Sequence, residues 1–238
     1  MGLVDMDTSL SNAVQAMSAG ERRLDAIATN LANIQAPGYK RSATFQHVLE
    51  TQHNGRPTRQ IVTRSGTDFS QGPVEDTGNP FDLALLGDGF FAVETPTGEG
   101  YTRNGRFHLD PQGVLLDDSG NAVVWDGARG TLNPVGEEVS IDGTGFVRQG
   151  ANDIGRLKLV DFAARERLQL DTQGYFRASQ GMEQQAPTAE VRARAIERAN
   201  TESIDELVSM IRVQRHYDLA SNIIRTVEQS YSRLNQPR

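Results

Sequence analysis

Leu10, Met17, Leu24 and Leu31 recur at intervals of seven residues near one end of the chain. Such a repeat gathers side chains on one face only if the segment is an α-helix. Val14 and Ala28 hold the complementary position three residues ahead of the next member, and Glu21 interrupts it. Ala13, Gly20, Ile27 and Ile34 form a third column beside these two. The spacing predicts a helix from about Thr8 to Asn33, with a seam wider than a two-stranded coiled coil requires. Pro37-Gly38 ends it, because proline disfavours a helical residue before it and glycine permits a sharp exit.

The other end carries a counterpart, predicted from about Ser203 to Leu234. Ser203-Ile204-Asp205-Glu206 has the spacing of a capping box. Ile204, Val208 and Ile211 make one stripe; Val213, Tyr217, Ala220, Ile224, Val227, Tyr231 and Leu234 continue in a different phase. The break in phase predicts that the packing face shifts partway along. A helix of about thirty residues is a rod of roughly 45 Å, long for a globular domain of this size. Pro237 falls beyond the last apolar position.

Between the two, turn pairs punctuate short apolar runs: Asp88-Gly89, Asn104-Gly105, Asp126-Gly127 and Asp142-Gly143. Phe90–Val93, Tyr101-Thr102, Phe107–Leu109, Val114–Leu116 and Ala122–Trp125 read as strands, with weaker ones at Gly155–Val160 and Tyr175–Arg177. The expected fold is α+β: long N- and C-terminal helices packing together in a coiled-coil-like manner, with a central, mainly antiparallel β-domain. The expected boundaries are 1–41 for an N-terminal assembly helix and 42–80 for an extended connection that includes Asn54-Gly55-Arg56-Pro57. The β-domain then occupies 81–185, and a C-terminal assembly helix 186–238.

Composition narrows the function. Apolar residues make up 37% of the chain, thin for one large core and suited to a few concentrated segments. The net charge is −7. Acids and bases balance over 1–41, and 189–238 holds eight arginines against seven acids, so the acidity lies in the middle. Nearly neutral ends can pack against copies of themselves with little repulsion. An acidic chain is a poor partner for nucleic acid or an anionic membrane. There is no cysteine, hence no disulfide, thiolate nucleophile or Cys-based metal site. The first twenty residues contain Asp5 and Asp7 and lack an unbroken apolar core, so no cleaved signal peptide is expected, and no apolar run is long enough to span a bilayer.

No motif points to catalysis. His47 and His53 are six apart with no accompanying ligand, and His108 and His216 stand alone. Asp117-Asp118-Ser119-Gly120-Asn121 lacks the alternating oxygens and distal Glu of a calcium loop, and a turn between two strands explains it better. No phosphate loop or nucleophile elbow is present, and Gly87-Asp88-Gly89 precedes no helix. No catalytic, cofactor-binding or metal residue is therefore assigned.

Ala28-Thr29-Asn30-Leu31-Ala32-Asn33-Ile34 followed by Pro37-Gly38-Tyr39-Lys40-Arg41 resembles the N-terminal signature of bacterial flagellar basal-body rod and hook proteins. Ala199–Val208 and Gln214–Asp218 look like that family's C-terminal motif, and Gly87–Phe91 and Tyr101–Gly105 are similar to core segments of its FlgF and FlgG members. The likeness spans roughly 10–41, 84–116 and 197–234. Gly155–Val160 leans towards the proximal-rod FlgF type and Gln214–Tyr217 towards the distal-rod FlgG type, so the subtype stays open. Ala36-Pro37 departs from the pattern where Ser or Thr is common.

The resemblance implies an axial rod subunit, not an enzyme, without cofactor, exported uncleaved by the flagellar type III apparatus into the periplasmic rod. Its partners would be copies of itself and other rod and hook proteins, with terminal helices forming an inner tube and the β-domain facing outward. The assembly interface is expected at Leu10, Met17, Leu24, Asn30, Leu31, Asn33, Gly38, Tyr39, Ile204, Val208, Ile211, Tyr217, Ile224 and Val227. Asn30 and Asn33 would hydrogen-bond between packed helices, or cap the helix end, an alternative that suits Asn33 in particular. The competing readings are a β-structured adhesin or binding module on a coiled-coil stem, and a carboxylate hydrolase acting on a cell-wall polymer.

Overall fold

The computed structural model describes residues 3–53, 56–128 and 130–234, with side-chain surroundings over 14–45, 65–128, 130–227 and 229. The chain divides into two compact units, and each draws on both ends of the sequence.

The first unit holds α1 (Leu3–Ala32), β1 (Ser42–His53), β2 (Arg56–Thr67) and α2 (Ser203–Leu234). Helix α2 spans the predicted residues, and Asp205 and Glu206 in its first turn suit the positive end of the helix dipole. Helix α1 begins five residues before the predicted start. The segment 42–67, expected as part of an extended connection, pairs with itself as an antiparallel hairpin in unbroken register from Ser42↔Thr67 to His53↔Arg56. Its backbone groups need partners and find them across the hairpin. The apolar residues come as adjacent pairs, Val48-Leu49 and Ile61-Val62, so no period of two announces the strands. Asn54 and Gly55 lie outside the described residues, as do the side chains of His47 and His53.

The second unit takes residues 33–41 and 69–200. Its strands are β3 (Val74–Asp76), β4 (Leu83–Leu86), β5 (Phe90–Thr95), β6 (Gly98–Thr102), β7 (Phe107–Leu109), β8 (Leu115–Asp117), β9 (Ala122–Val123) and β10 (Trp125–Asp126). They continue with β11 (Val139–Ile141), β12 (Phe146–Gln149), β13 (Asn152–Leu157), β14 (Leu159–Phe162), β15 (Gln169–Leu170), β16 (Phe176–Arg177), β17 (Gln184–Gln185), β18 (Glu190–Ala193) and β19 (Ala195–Glu197). One sheet runs β15-β16-β6-β5-β9-β8-β7 with β14 also on β5, and a second runs β10-β13-β12-β11. Strand pairing is antiparallel throughout these sheets.

Strand β5 is the hub, because its alternate residues enter two different cores. Phe91 and Val93 pack with Leu83, Leu85, Phe107, Leu115 and Leu157. Phe90 and Ala92 pack with Tyr101, Val160, Phe162 and Phe176. A strand buried on both faces reads as a continuous apolar run, as Phe90-Phe91-Ala92-Val93 does. The run Gly155–Val160, expected as one strand, is split at Lys158. Leu157 pairs with β10 in one sheet, and Leu159 pairs with Phe91 of β5 in the other.

Four turns share one chemistry that the Asp-Gly pairs do not reveal. In Asp110…Gly113, Asp117…Gly120, Asp142…Gly145 and Asp171…Gly174, the aspartate Oδ1 accepts the backbone N–H groups two and four residues on. The glycine N–H donates to the aspartate carbonyl, and each glycine has φ between +76° and +87°. Asx chemistry with an obligate left-handed residue closes all four. The loop Asp117–Asn121 is thus a turn between β8 and β9, and the 142-143 pair is a fragment of a longer signal. The segment 186–238 is helical only from Ser203, since β18 pairs with β4 and β19 with β3 before it.

Candidate functional site

The residues that carry the family resemblance converge on two buried polar clusters, one in each unit. In the second unit the centre is Glu197, 0% exposed, on β19. Its Oε1 accepts from Lys40 Nζ at 2.6 Å and from the Gly72 N–H at 2.8 Å. Its Oε2 lies 3.3 Å from Arg103 Nη1. Lys40 also donates to the Ser70 carbonyl at 2.7 Å, and Arg103 Nη2 to the Gly87 carbonyl at 2.7 Å, with its guanidinium over the Phe90 ring. Two cations thus share one carboxylate. Burial pushes the Arg103 pKa below its ordinary value, and the Glu197 charge opposes that shift.

Gly38 and Asn200 brace the same cluster. Gly38 donates its N–H to the Glu197 carbonyl at 2.7 Å with φ +66°, and a Cβ there would sit 2.1 Å from the Arg103 carbonyl carbon. Only glycine meets both demands. Asn200 Oδ1 accepts the Arg41 N–H at 2.7 Å, its Nδ2 donates to the Ser70 carbonyl, and its N–H donates to the Tyr39 carbonyl. The pattern Pro37-Gly38-Tyr39-Lys40-Arg41 therefore joins the two ends of the chain inside one unit. Asn33 is half-buried and its carbonyl accepts the Ala36 N–H. Glu197 and Arg103 were absent from the residues picked by sequence. The available signal was a charged residue closing the apolar strand Ala195-Ile196-Glu197, facing the arginine of Tyr101–Gly105.

In the first unit Asn30 is 1% exposed and links α1 to α2. Its Nδ2 donates to Glu206 Oε1 at 3.1 Å and to the Ser42 carbonyl at 2.9 Å, while its Oδ1 accepts the Ser42 N–H at 2.8 Å. Thr201 Oγ1 adds a bond to Glu206 Oε1, and the Glu206 N–H donates to the Glu202 carbonyl. The sequence predicts Glu206 as a capping-box member; in the structure its Oε1 accepts from Asn30 of the facing helix and from Thr201.

The apolar columns sort into covered and open faces. On α1, Gly20 and Ile27 of the third column are buried, whereas Met17, Leu24 and Leu31 are half-buried and flank them. Gly20 faces α2 directly: a Cβ there would rest in ordinary contact with Tyr217 at 3.7 Å and Val213 at 3.9 Å. The side chain of Leu10 lies outside the described residues. On α2, Val213 and Ala220 are buried and Tyr217, Ile224 and Val227 half-buried. Ile204, Val208 and Ile211 are exposed, joined by Leu207, Leu219 and Ile223. Ile204 and Val213 are nine residues apart, about two and a half turns, so they lie on opposite sides of the helix. The phase break in the sequence marks two apolar faces of one helix, only one of which meets α1.

Among the described residues no helix is long and apolar enough to cross a membrane, and no group of three or more His, Asp or Glu is arranged to hold a metal ion. Three family descriptions match along the chain: "Flagella basal body rod protein" over residues 10–40, "Flagellar hook protein FlgE/F/G D1 domain" over 84–149, and "Flagellar basal body rod FlgEFG protein C-terminal" over 192–236. The flagellar basal-body rod protein FlgF of Escherichia coli (strain K12) is 32% identical over 248 residues, covering 97% of this chain and 98% of the relative. FlgF of Caulobacter vibrioides is 30% identical, covering 92% and 93%. The rod protein FlgG of Bacillus subtilis is 28% identical, covering 93% and 95%. With its ends joined through the very residues that mark the signature, and with likeness along nearly its whole length, the chain belongs to the bacterial flagellar basal-body rod protein family as a structural subunit.

Proposed function

We propose that this subunit polymerises through α1 and α2 into the wall of the flagellar rod and carries torque along it. The observation that carries this reading is the second apolar face of α2, where Ile204 is 72%, Leu219 60% and Ile211 51% exposed. Covering Ile204, Val208, Ile211, Leu219 and Ile223 contributes roughly 5 kcal/mol towards association, set against the lost rotational and translational freedom of the copies. On this reading α1 and α2 form a coiled-coil-like pair, and Leu10, Met17, Leu24, Leu31, Tyr217, Ile224 and Val227 line seams within and between subunits. Asn30, Asn33, Gly38 and Tyr39 hold the pair in place, and Ile204, Val208 and Ile211 meet neighbours. The segments 1–41 and 186–238 act as assembly arms and 81–185 as the β-domain.

The partners are copies of this chain and other rod and hook proteins. Export proceeds through the flagellar apparatus into the periplasmic rod of the basal body. The role is mechanical, with no catalysis, nucleic acid or membrane insertion.

The test is Val208→Asp with Ile211→Asp. Both positions are solvent-exposed, so the circular-dichroism melt should stay within a few degrees of the parent while polymer mass in sedimentation, and motility in cells, are lost. Full-length polymers or normal motility from that variant would sink the proposal. A stem that closes on itself would instead reach a fixed mass as concentration rises.

A further inference from the structure

We infer that the Asp126-Gly127 pair rearranges spontaneously to an isoaspartyl linkage in the folded chain, while the fold holds the intrinsically faster Asn104-Gly105 pair unchanged. The β-unit carries four Asp-Gly or Asn-Gly pairs, beginning at Asp88, Asn104, Asp126 and Asp142. In such a pair the glycine nitrogen attacks the side-chain carbonyl carbon of the preceding residue and closes a five-membered succinimide. Aspartate loses its hydroxyl as water together with the glycine N–H proton. Asparagine loses ammonia instead, and an unrestrained Asn-Gly pair is the faster of the two. Water then opens the ring. Attack at the main-chain carbonyl breaks its bond to the glycine nitrogen, so the chain runs through Cβ and Cγ and the α-carboxylate is freed. From aspartate the product keeps the same mass and charge.

Three of the four pairs are locked. Asn104 Oδ1 accepts the Arg106 N–H at 3.0 Å, and the Asn104 N–H donates to Thr102 Oγ1 at 3.0 Å. Gly105 is buried, and a Cβ on it would fall 1.7 Å from the Leu83 carbonyl oxygen, so this peptide has no room to turn towards the side chain. The Asp88 carboxylate is held by Arg165 Nη1 at 2.6 Å, and Gly89 is buried against Pro187. Asp142 Oδ1 accepts the Thr144 N–H, the Thr144 hydroxyl and the Phe146 N–H. Asp126 differs on each count. It is exposed, and its carboxylate makes no hydrogen bond or ion pair among the described residues. Gly127 is exposed with φ +87°, nothing lies within 4 Å of the position a Cβ would take, and its N–H meets no acceptor among the described residues. Strand β10 is also the edge of its sheet, so one added backbone carbon disturbs only the pairing of Trp125 and Asp126 with β13. Trp125, the single tryptophan, packs against the first core beside the bond that changes.

The full chain is kept near neutral pH, once folded and once in urea, and cut by a glutamate-specific protease, which leaves Asn104 and Asp126 together in the peptide 100–137. Electron-transfer fragmentation locates a β-linked residue, and a gain in mass marks conversion of Asn104. In urea Asn104 should convert first. In the folded chain the β-linked residue should accumulate at Asp126, with Asn104 slowed roughly thirtyfold or more, the equivalent of its two hydrogen bonds. The emission of Trp125 should shift to the red in step with that product. Asp126→Ser, which has no carboxyl, should abolish it, and Asp126→Asn should form it faster. Conversion of Asn104 in the folded chain at the rate seen in urea would overturn the inference, as would conversion of Asp126 no faster than that of Asp88 or Asp142. An unshifted Trp125 spectrum at full conversion would overturn the effect on β10. The unassembled chain suffices for the measurement, so its outcome is independent of polymerisation.

Discussion

Replacing Glu197 by Gln removes the one carboxylate shared by Lys40 and Arg103, all three side chains being nearly inaccessible to water. The amide keeps the shape but leaves the Lys40 and Arg103 cations buried without the charge of the carboxylate that both contact. Breaking a buried ion pair from one side costs about 3–5 kcal/mol, a large fraction of the roughly 5–15 kcal/mol that holds a domain folded. At about 2–4 °C per kcal/mol for a domain of this size, the β-unit should melt about 6–20 °C lower. Lys40→Met is the informative comparison. It removes one cation and leaves Arg103 and Glu197 as a neutral pair, at the expense of the hydrogen bonds of Lys40 to Glu197 and Ser70, about 1–3 kcal/mol. Differential scanning calorimetry and near-ultraviolet circular dichroism on the full chain read both variants. The expected order is Glu197→Gln well below Lys40→Met, which lies below the parent. A Glu197→Gln variant within 1 kcal/mol of the parent, or one more stable than Lys40→Met, would refute the account of one anion neutralising two cations.

Two further outcomes follow from other parts of the fold. Gly38→Ala should destabilise the β-unit by more than the roughly 1–3 kcal/mol of left-handed strain alone, because its Cβ would strike the Arg103 backbone; Gly78→Ala, at φ +80° in open space, should show only the strain in the same thermal melt. Burial alone would raise the carboxyls of Asp142 and Asp171. In Asp142 the Thr144 hydroxyl and the Phe146 and Thr144 N–H groups, and in Asp171 the Tyr175 N–H, Arg177 and the Gln173 N–H, instead hold the pKa below its usual value. A depressed folded-state pKa contributes stability that is complete above the unfolded value, near 3.9, and is lost as pH falls through the folded one. The melting midpoint should therefore drop below about pH 4, less steeply in Asp142→Asn/Asp171→Asn, and an unchanged slope in that variant would reject these turns as the source.

The two long helices, the strands at Phe90–Val93 and Phe107–Leu109, and the α+β order were legible without coordinates. Each depends on a local period or on one uninterrupted apolar run, both written directly along the chain. The four aspartate turns were legible in principle, since Asp and Gly stand three apart in every one, but adjacent Asp-Gly pairs drew attention to the wrong spacing. The hairpin 42–67 was hidden because its pairing is satisfied by backbone groups common to all residues, with no alternating apolar face to reveal it.

What the sequence alone determined is which segments form helices and strands and which residues are candidates for packing. Tertiary structure decided their assignment to faces and partners. It showed that Gly20 and Ile27, rather than the leucine column, hold the centre of the α1–α2 contact, because α2 closes those positions off from water while Met17, Leu24 and Leu31 stay half-buried beside them. It showed that Ile204, Val208 and Ile211 face away from α1, because they lie about half a turn out of phase with Val213 and Ala220. It also brought Lys40 and Glu197, 157 residues apart, into one buried ion pair. Distance along the chain carries no information about such a meeting, which arises only when the remainder of the unit excludes water from both charges.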